Sequence, residues 1–434
     1  MLIAANARRR ILPLLAVLAA LSGACRTAEP VPAPVATPDA DRIQRDIAWL
    51  ADDRLAGRGT GTAGNDSAAA WLARRHAALG LRPVLADGGY RQPFVARSAQ
   101  MVHSGQPDGA PTQNIVAMVP GRDPVLRGEY VVIGAHFDHL GRSAISAMDP
   151  EAKDAIRNGA DDNASGTAAL LELARLFAAR PPLRSIIIAH FGAEELGLLG
   201  SQWFVDHPPV TLDRIAAMVN FDMVGRLRND KLIVYGVASA KELPAIVQEA
   251  NVAPALTISA VGDGFGPSDH SSFYAKGIPV LHFFTDLHDD YHRATDDADR
   301  INAAGEARIV ALAERVVRTI ADRPTRLTSV IAAAPAPTTG GREGSNVYLG
   351  SIPDMSASDA PGLRLTGVRA GSPADAAGLR AGDVIVELGG RPVRDLYAYS
   401  DALYAHTPGE RVDIVFLRNG ERQTATVTLG KRGQ

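Results

Sequence analysis

The stretch Asn158-Gly-Ala-Asp-Asp-Asn-Ala-Ser-Gly166 sets two adjacent carboxylates directly before an apolar run rich in Ala and Leu, residues 167–178. The spacing of the apolar residues predicts a helix with Asn163 or Ser165 as its N-cap. Neighbouring carboxylates repel each other unless a positive charge lies beside them, so the pair suggests a bound cation. Taken alone, the pair is more typical of a solvated turn, because Asp and Asn are ordinary turn and cap residues.

Composition sets the broad class of the protein. The chain has 434 residues, so two domains are expected besides any targeting segment. Hydrophobic residues make up 46% and charged residues 21%, which is typical of a globular protein with a substantial core. The formal net charge of -3 predicts no nucleic acid partner.

The first 25 residues have the pattern of an export signal peptide. A basic segment, residues 8–10, precedes an apolar run, residues 11–21, that is too short to span a bilayer. The single cysteine, Cys25, excludes an internal disulfide framework and resembles the lipidated cysteine of bacterial lipoproteins. Ser22 stands where that motif prefers a large aliphatic residue, so lipidation and ordinary cleavage both remain open. We expect an exported protein: periplasmic, anchored to the outer membrane, or secreted. A membrane contact is expected only through that lipid.

Alternating helical and strand patterns occupy residues 41–323. Short apolar runs such as residues 130–135 and 185–189 are typical of strands buried on both faces, and helical runs such as 301–321 separate them. The alternation predicts an α/β fold, a three-layer sandwich around a central, mostly parallel mixed sheet. Ligand sites in such sheets lie at the carboxyl ends of the strands.

Composition changes mark the remaining segments. Residues 26–40 are rich in Pro and Ala and predict an extended tether, and residues 324–342 predict a linker. Beyond the linker, short strands and glycine-containing turns predict a small β-rich domain over residues 343–432.

Five polar segments follow predicted strands or lie in polar loops of the α/β region. Each is ordinary by itself, but five such segments at the strand ends of one domain are not expected by chance. They are His136-Phe-Asp-His139, Asp161-Asp162, Glu194-Glu195, Asp222 and Tyr291-His292. Imidazole and carboxylate groups without thiolate favour zinc, with cobalt or manganese as alternatives.

The residue types suit a pair of divalent cations. Two cations about 3.5–4 Å apart need a shared anionic bridge, which one central Asp could supply. The pair would acidify a water molecule, and a nearby carboxylate that binds no metal could take its proton. The predicted reaction is hydrolysis of an amide.

As an ordered set, these segments resemble the M28 family of zinc metallopeptidases, which includes many bacterial aminopeptidases. The resemblance covers about residues 41–321 and implies a peptidase domain over residues 41–323. It rests on His136-Phe-Asp138, residues 159–166, residues 193–201, Asn220-Phe-Asp-Met223 and Tyr291-His292. It implies that His136 and Asp222 hold one metal, that Glu195 and His292 hold the other, and that Asp162 bridges the two.

The same resemblance implies roles for the neighbouring residues. Glu194 matches the general acid/base, and Asp138 matches a carboxylate that fixes the tautomer of the ligand histidine two residues before it. Tyr291 is a weaker candidate for polarising the scissile carbonyl. His139 and His190 match no role and are expected to be packing or surface residues.

Residues 345–429 resemble a circularly permuted bacterial PDZ domain. The resemblance rests on Tyr348-Leu-Gly-Ser-Ile-Pro353 and on residues 371–385. It implies that a peptide adds a strand to the sheet edge while backbone N–H groups hold its C-terminal carboxylate. The residues that would hold it are Tyr348, Leu349, Gly350, Ser351 and Ile352. A domain that only packs on the peptidase or shields its cleft remains the alternative.

The sequence therefore predicts an exported dinuclear zinc metallopeptidase, most simply an aminopeptidase, that acts on peptides or proteins. One alternative is an acyltransferase of the glutaminyl cyclase kind with a single zinc; His136 argues against it by completing a second metal site. The other is a non-catalytic binding protein on a peptidase scaffold, against which the complete set of ligands and base argues.

Overall fold

The structure is a computed structural model. It describes residues 1, 37–97, 109–143, 146–149, 151–262, 264, 266–331, 347–353, 360–368, 371–394, 398–399, 402–403 and 405–431. The predicted export signal, Cys25 and most of the predicted linker lie outside these residues, and the predicted domain boundaries stay predictions. Among the helices of the described ranges, none is both long enough and apolar enough to cross a bilayer.

An eight-stranded mixed sheet forms the centre of the larger domain. Its order is β1-β2-β4-β3-β5-β8-β6-β7. The four central strands β4, β3, β5 and β8 are parallel, as are β6 and β7, whereas the other pairs are antiparallel. The predicted sheet, mixed and mostly parallel, is confirmed. The strands are β1 (Arg91–Ala96), β2 (Ala110–Val119), β3 (Tyr130–His136), β4 (Ser185–Phe191), β5 (Ile215–Phe221), β6 (Lys231–Tyr235), β7 (Thr257–Ala260) and β8 (Val280–Phe284).

Two hydrophobic cores lie on the two faces of this sheet. Along β3, Val131 and Ile133 belong to one core and Val132 to the other, because successive side chains of a strand point to opposite faces. Helices α1, α2, α3, α5 and α7 contribute to the first core, and α4 and α6 to the second. The result is the predicted three-layer sandwich.

The helices of this domain are α1 (Ala40–Leu50), α2 (Ala63–Ala78), α3 (Gly166–Ala179), α4 (Leu199–Asp206), α5 (Leu243–Ala250), α6 (His270–Tyr274) and α7 (Ala303–Asp322). Helix α2 begins at Ala63, because the side chain of Thr62 caps it by accepting the N–H of Asn65. At α3 the capping oxygen is that of Asn163, which accepts the N–H of Gly166.

The smaller domain is an antiparallel β-structure with its own hydrophobic core. The strands β10-β11-β12-β14-β15 form one sheet, β13 pairs with β12, and β16 pairs with β9. Strand β10 lies at an edge of that order. The elements are β9 (Val347–Tyr348), β10 (Ser351–Pro353), β11 (Leu363–Val368), α8 (Pro373–Ala376), β12 (Val384–Leu388), β13 (Arg391–Pro392), β14 (Arg411–Arg418), β15 (Glu421–Thr428) and β16 (Gly430–Lys431).

Candidate metal centre

The carboxyl ends of three neighbouring parallel strands bring most of the candidate ligands together. His136 is the last residue of β3, Asp222 directly follows β5, and Glu195 lies in the turn after β4. Asp162 comes from the irregular helical turn Ala160–Ser165, which precedes α3. His292 comes from the loop that follows β8. The five residues predicted from the sequence as ligands thus meet at one edge of the sheet.

Asp162 lies between the two ligand histidines. Its Oδ1 is 3.3 Å from His136 Nε2, and its Oδ2 is 3.1 Å from His292 Nε2. Asp222 Oδ1 lies 3.4 Å from His136 Nε2, and Glu195 Oε2 lies 3.3 Å from His292 Nε2. The geometry therefore forms two groups of donors that share one carboxylate.

The chemistry of these donors fits divalent cations. The donor atoms of His136, Asp162 and Asp222 all lie within 4.8 Å of one another. The set contains only imidazole nitrogen and carboxylate oxygen, which suits zinc. Asp222 Oδ1 is buried and has no hydrogen-bond partner among the described residues. A buried carboxylate oxygen is costly unless a positive group compensates it, so the site calls for added positive charge.

The buried charges shift one another's protonation. Burial opposes protonation of His136, but the nearby carboxylates of Glu194 and Asp222 outweigh it and raise its pKa well above the usual value. Burial raises the pKa of Glu194 well above its usual range, although His136 acts in the opposite direction. A buried carboxyl group with a strongly shifted pKa beside such a site is a candidate acid/base.

Comparison with known families agrees with this site. Residues 114–317 match the family model of peptidase family M28, and residues 346–429 match that of the PDZ domain. The chain contains an M28 peptidase domain and a PDZ domain. All five predicted ligands and Glu194 fall inside the segment that matches the M28 model.

Curated relatives match the M28 domain over part of their length. The chain is 32% identical over 195 residues to leupeptin-inactivating enzyme 1 of Streptomyces exfoliatus, covering 44% of this chain and 40% of the relative. It is 30% identical over 221 residues to aminopeptidase YwaD of Bacillus subtilis, covering 47% of this chain and 45% of the relative. The chain thus spans less than half the length of these two curated relatives.

Solved structures share the fold of the M28 domain. BSAP, a zinc aminopeptidase from Bacillus subtilis, aligns with a TM-score of 0.53 at 17% identity, covering 68% of this chain and 99% of that chain. Porphyromonas gingivalis glutaminyl cyclase aligns with a TM-score of 0.54 at 20% identity, covering 65% of this chain and 98% of that chain. At such low identity, the likeness shows the fold alone.

Asp138 of the M28 domain lies behind His136, as expected, but its carboxylate is not within hydrogen-bonding distance of the imidazole. Its carboxylate Oδ1 lies 3.8 Å from His136 Nδ1, and the closer partner of that nitrogen is the main-chain oxygen of Asp138 at 3.2 Å. The carboxylate instead accepts the N–H of Glu194 at 3.1 Å and the hydroxyl of Thr60 at 3.1 Å. It therefore anchors the Glu194 segment, while a carbonyl orients the imidazole of His136.

His139 is not a surface or simple packing residue, contrary to the expectation from the sequence. It is 2% exposed, and its Nδ1 lies 2.7 Å from Glu195 Oε1, inside the candidate metal centre. His190 does pack in the core as expected. Its Nε2 lies 3.0 Å from Nε2 of His76, and both rings are fully buried.

Two further residues of the M28 domain hold the ligand segments in place. Arg58 begins the glycine-rich segment Arg58-Gly-Thr-Gly-Thr-Ala-Gly64. It is fully buried and donates to the carbonyl oxygens of Phe137 at 2.8 Å, Asn158 at 2.6 Å and Gly159 at 2.9 Å. Asp296 accepts the main-chain N–H of Asp162. The run of glycines in residues 58–64 is the sequence signal beside Arg58, whereas Asp296 lies in the polar loop of residues 288–300 without a signal of its own.

The cleft beside the ligands has an apolar and aromatic wall. Besides the candidate metal ligands and Glu194, the residues that line it are Met223, Tyr235, Phe284, Leu287 and Tyr291. The half-buried ring of Tyr291 stacks on the ring of His292, with a centroid distance of 3.8 Å. A substrate in this cleft would therefore lie against both the charged centre and the apolar wall.

In the PDZ domain, the predicted carboxylate-binding residues run from β9 into the edge strand β10. Gly350 has a φ of +82°, and a Cβ at this position would lie 2.2 Å from Cβ of Ser372, so the turn requires glycine. The hydroxyl groups of Ser351 and Tyr399 form a hydrogen bond. Tyr348 and Leu349 precede Gly350, and Ile352 lies in β10 with its side chain outside the described part. Peptide binding by these residues stays a prediction.

Proposed function

We propose that this protein is an exported zinc metallopeptidase that hydrolyses peptide bonds as an aminopeptidase, with two cations at the candidate metal centre. The observation that carries the proposal is the position of Asp162, whose two oxygens face His136 at 3.3 Å and His292 at 3.1 Å. A carboxylate shared in this way suits a bridge between two cations. The M28 match supports peptide hydrolysis as the reaction.

Two sets of residues would hold the ions. One ion would take His136, Asp162 and Asp222, and the other would take Asp162, Glu195 and His292. Zinc fits these ligands best, and cobalt or manganese are alternatives. When bound, the ions supply a Lewis acid for the scissile carbonyl and a water molecule of lowered pKa.

The protein's own groups then move the proton and orient the substrate. Glu194 Oε2 lies 3.9 Å from His136 Nε2, so its carboxylate borders the space between the ligands and the cleft. In this proposal it accepts a proton from the attacking water and returns it to the leaving amine. Asp138 keeps the main chain of Glu194 in place. Tyr291, which also lines the cleft, would donate its hydroxyl to the scissile carbonyl.

Aminopeptidase action is supported by the relatives, one of which is named an aminopeptidase. The similar fold of a glutaminyl cyclase keeps a single-zinc acyltransferase as the second candidate. His136 and Asp222 argue for the peptidase, because with the shared Asp162 they make a second ligand group at 3.3–3.4 Å. A non-catalytic scaffold is the third candidate, and the position of Glu194 beside the ligands argues against it.

The deciding experiment measures metal content and hydrolysis on the full-length protein. We expect two ions per chain and cleavage of peptides with a free N-terminus. N-acetylated peptides should resist cleavage, C-amidated ones should be cleaved, and a chelator should abolish the activity. One ion per chain with release of ammonia from N-terminal glutamine would favour the cyclase, and no bound metal would favour the scaffold. Cleavage that needs a free C-terminus would show a carboxypeptidase.

The PDZ domain is proposed to bind a C-terminal peptide along β10. Titration with peptides that carry free or amidated C-termini tests this; equal binding of both would exclude capture of the carboxylate.

Export is proposed from residues 1–25. Mass spectrometry of the mature N-terminus separates a lipid on Cys25 from plain cleavage, and a chain that keeps Met1 would overturn export by signal cleavage.

A further inference from the structure

The imidazole of His139 lies beside all three members of the ligand group Asp162, Glu195 and His292. Its Nδ1 lies 2.7 Å from Glu195 Oε1 and 3.9 Å from Asp162 Oδ2. Its ring meets the ring of His292 edge-on, with centroids 5.7 Å apart and planes at 69°. No role for this histidine follows from the M28 resemblance, yet it is buried at the centre of the site.

We propose that His139 is a positioning residue for one cation: its Nδ1–H holds Glu195 Oε1 and leaves Glu195 Oε2 to bind the ion next to His292. This inference rests on the proposed two-cation site. It assigns a separate task to each oxygen of one carboxylate, and it predicts that the loss of His139 affects one of the two ions.

The two carboxylate oxygens of Glu195 have different partners. Oε1 is the partner of His139 at 2.7 Å, while Oε2 lies 3.3 Å from His292 Nε2. A hydrogen bond to one oxygen fixes the plane of a carboxylate and selects which lone pairs face the metal. Without that donor, Glu195 could rotate about its side-chain bonds and would lose rotamer freedom on binding the ion.

The backbone keeps the His139 ring where it is. Gly159, which precedes the irregular turn of Asp162, has a φ of +57°, and a Cβ there would lie 2.4 Å from Cγ of His139. The main-chain N–H of His139 donates to the carbonyl of Arg58 at 3.4 Å. The ring therefore fills a space that only glycine leaves open, and it has little freedom to turn away from Glu195.

In the part of the chain that the structure describes, the only histidine paired with Asp222 is the ligand His136 itself. His136 and Asp222 lie at the other end of Asp162, and the Nδ1 of His136 is held by a main-chain carbonyl. The effect of His139 should therefore be confined to the ion held by Glu195 and His292. A substitution that only loosened the fold would weaken the binding of both ions alike, so a loss of fold stability can be separated from the loss of the hydrogen bond to Glu195.

The test is a calorimetric titration of the metal-free, full-length protein with zinc, in competition with a chelator. We expect wild type to bind two ions, and His139→Leu to bind one of them roughly 10–100-fold more weakly with the other nearly unchanged. The exposed His207 of the same domain provides a matched control, and His207→Leu should bind both ions as wild type does.

A second pair of variants tests the hydrogen bond without relying on His139→Leu to fold. The amide nitrogen of Asn can reach the position of Nδ1, whereas that of Gln reaches nearer to Nε2. We therefore expect the ion held by Glu195 and His292 to bind more tightly to the His139→Asn variant than to the His139→Gln variant. Equal affinity in these two variants, or equal loss of both ions, would overturn the inference. If wild type itself bound fewer than two ions, the proposed function would fail instead.

Discussion

Asp296 Oδ2 lies 3.1 Å from the main-chain nitrogen of Asp162 and accepts its hydrogen bond. The same oxygen accepts the N–H of Asp161 at 2.9 Å, and the other oxygen lies 3.3 Å from the guanidinium of Arg226. One fully buried carboxylate therefore holds the backbone of the residue that we propose as the bridge between the ions. It acts on the bridge itself, so it should influence both ions.

We expect Asp296→Ala to weaken the binding of both cations and to lower the free energy of unfolding by about 1–3 kcal/mol, because two buried N–H groups lose their acceptor. Calorimetric titration with zinc and denaturant unfolding of the metal-free protein measure the two effects. Exposed Asp299, in the same loop region, provides the control Asp299→Ala. Loss of only one ion in Asp296→Ala would contradict this account.

Replacing the proposed base should separate chemistry from binding. We expect Glu194→Gln to keep the fold and the metal content while kcat falls by roughly 10²–10⁴-fold, since the amide cannot take the proton of the attacking water. Steady-state kinetics and elemental analysis of the same sample measure both. Gln202→Ala, an exposed change on α4, serves as the control. Full activity in Glu194→Gln would show that another group is the base.

Arg58 should matter for stability far more than its neighbour Arg54. We expect Arg58→Met to lower the free energy of unfolding by about 3–5 kcal/mol, because the buried carbonyl groups that the guanidinium bonds would lose their donor. Burial lowers the pKa of Arg58 to about 10, so the side chain is still charged at neutral pH. Arg54→Met changes an exposed residue of the same short helical segment, Asp53–Arg58, and should cost less than about 0.5 kcal/mol. Similar losses in both variants would refute the assigned role of Arg58.

The buried pair His76 and His190 should make the fold sensitive to acid. Burial lowers the pKa of His76 to about 3 and that of His190 well below its usual value. In the unfolded chain both histidines have a pKa of about 6.5. Between these values the unfolded state binds more protons, so the free energy of unfolding falls as the pH drops below about 6.5. Above that pH the pair contributes no pH dependence.

Denaturant unfolding at several pH values measures this effect, at up to about 1.4 kcal/mol per pH unit for each proton taken up. A double variant, His76→Leu with His190→Phe, should lose this part of the pH dependence while keeping the remainder. The variant His207→Leu changes an exposed histidine and should keep the wild-type profile. An unchanged profile in the double variant would show that other groups cause the acid sensitivity.

Much of the fold and the identity of the candidate ligands could be predicted from the sequence. The alternation of strands and helices is local, and His136, Glu195 and Asp222 stand at or just after the ends of parallel strands, so parallel order brings these three to one edge of the sheet. Asp162 and His292 reach the same edge through the connecting segments. Strands β1, β6 and β7 were not predicted. Strands β1 and β7 are the two edges of the sheet, where β1 alternates exposed and buried residues and β7 is only partly buried, so neither forms a continuous apolar run. Strand β6 is buried and lies between β8 and β7, so an edge position does not explain why it was not predicted.

The sequence by itself determined the α/β sandwich, the second β-rich domain and the residue types that could bind metal, because periodicity and strand ends are properties of neighbouring residues. Only the tertiary structure decided which groups support those residues. It formed the hydrogen bonds between Arg58 and Phe137, 79 positions apart, and between Asp296 and Asp161, 135 positions apart. It also paired the carboxylate of Asp138 with the N–H of Glu194, and His139 with Glu195. Such hydrogen bonds depend on how distant segments pack, and a linear sequence carries no periodic signal for them.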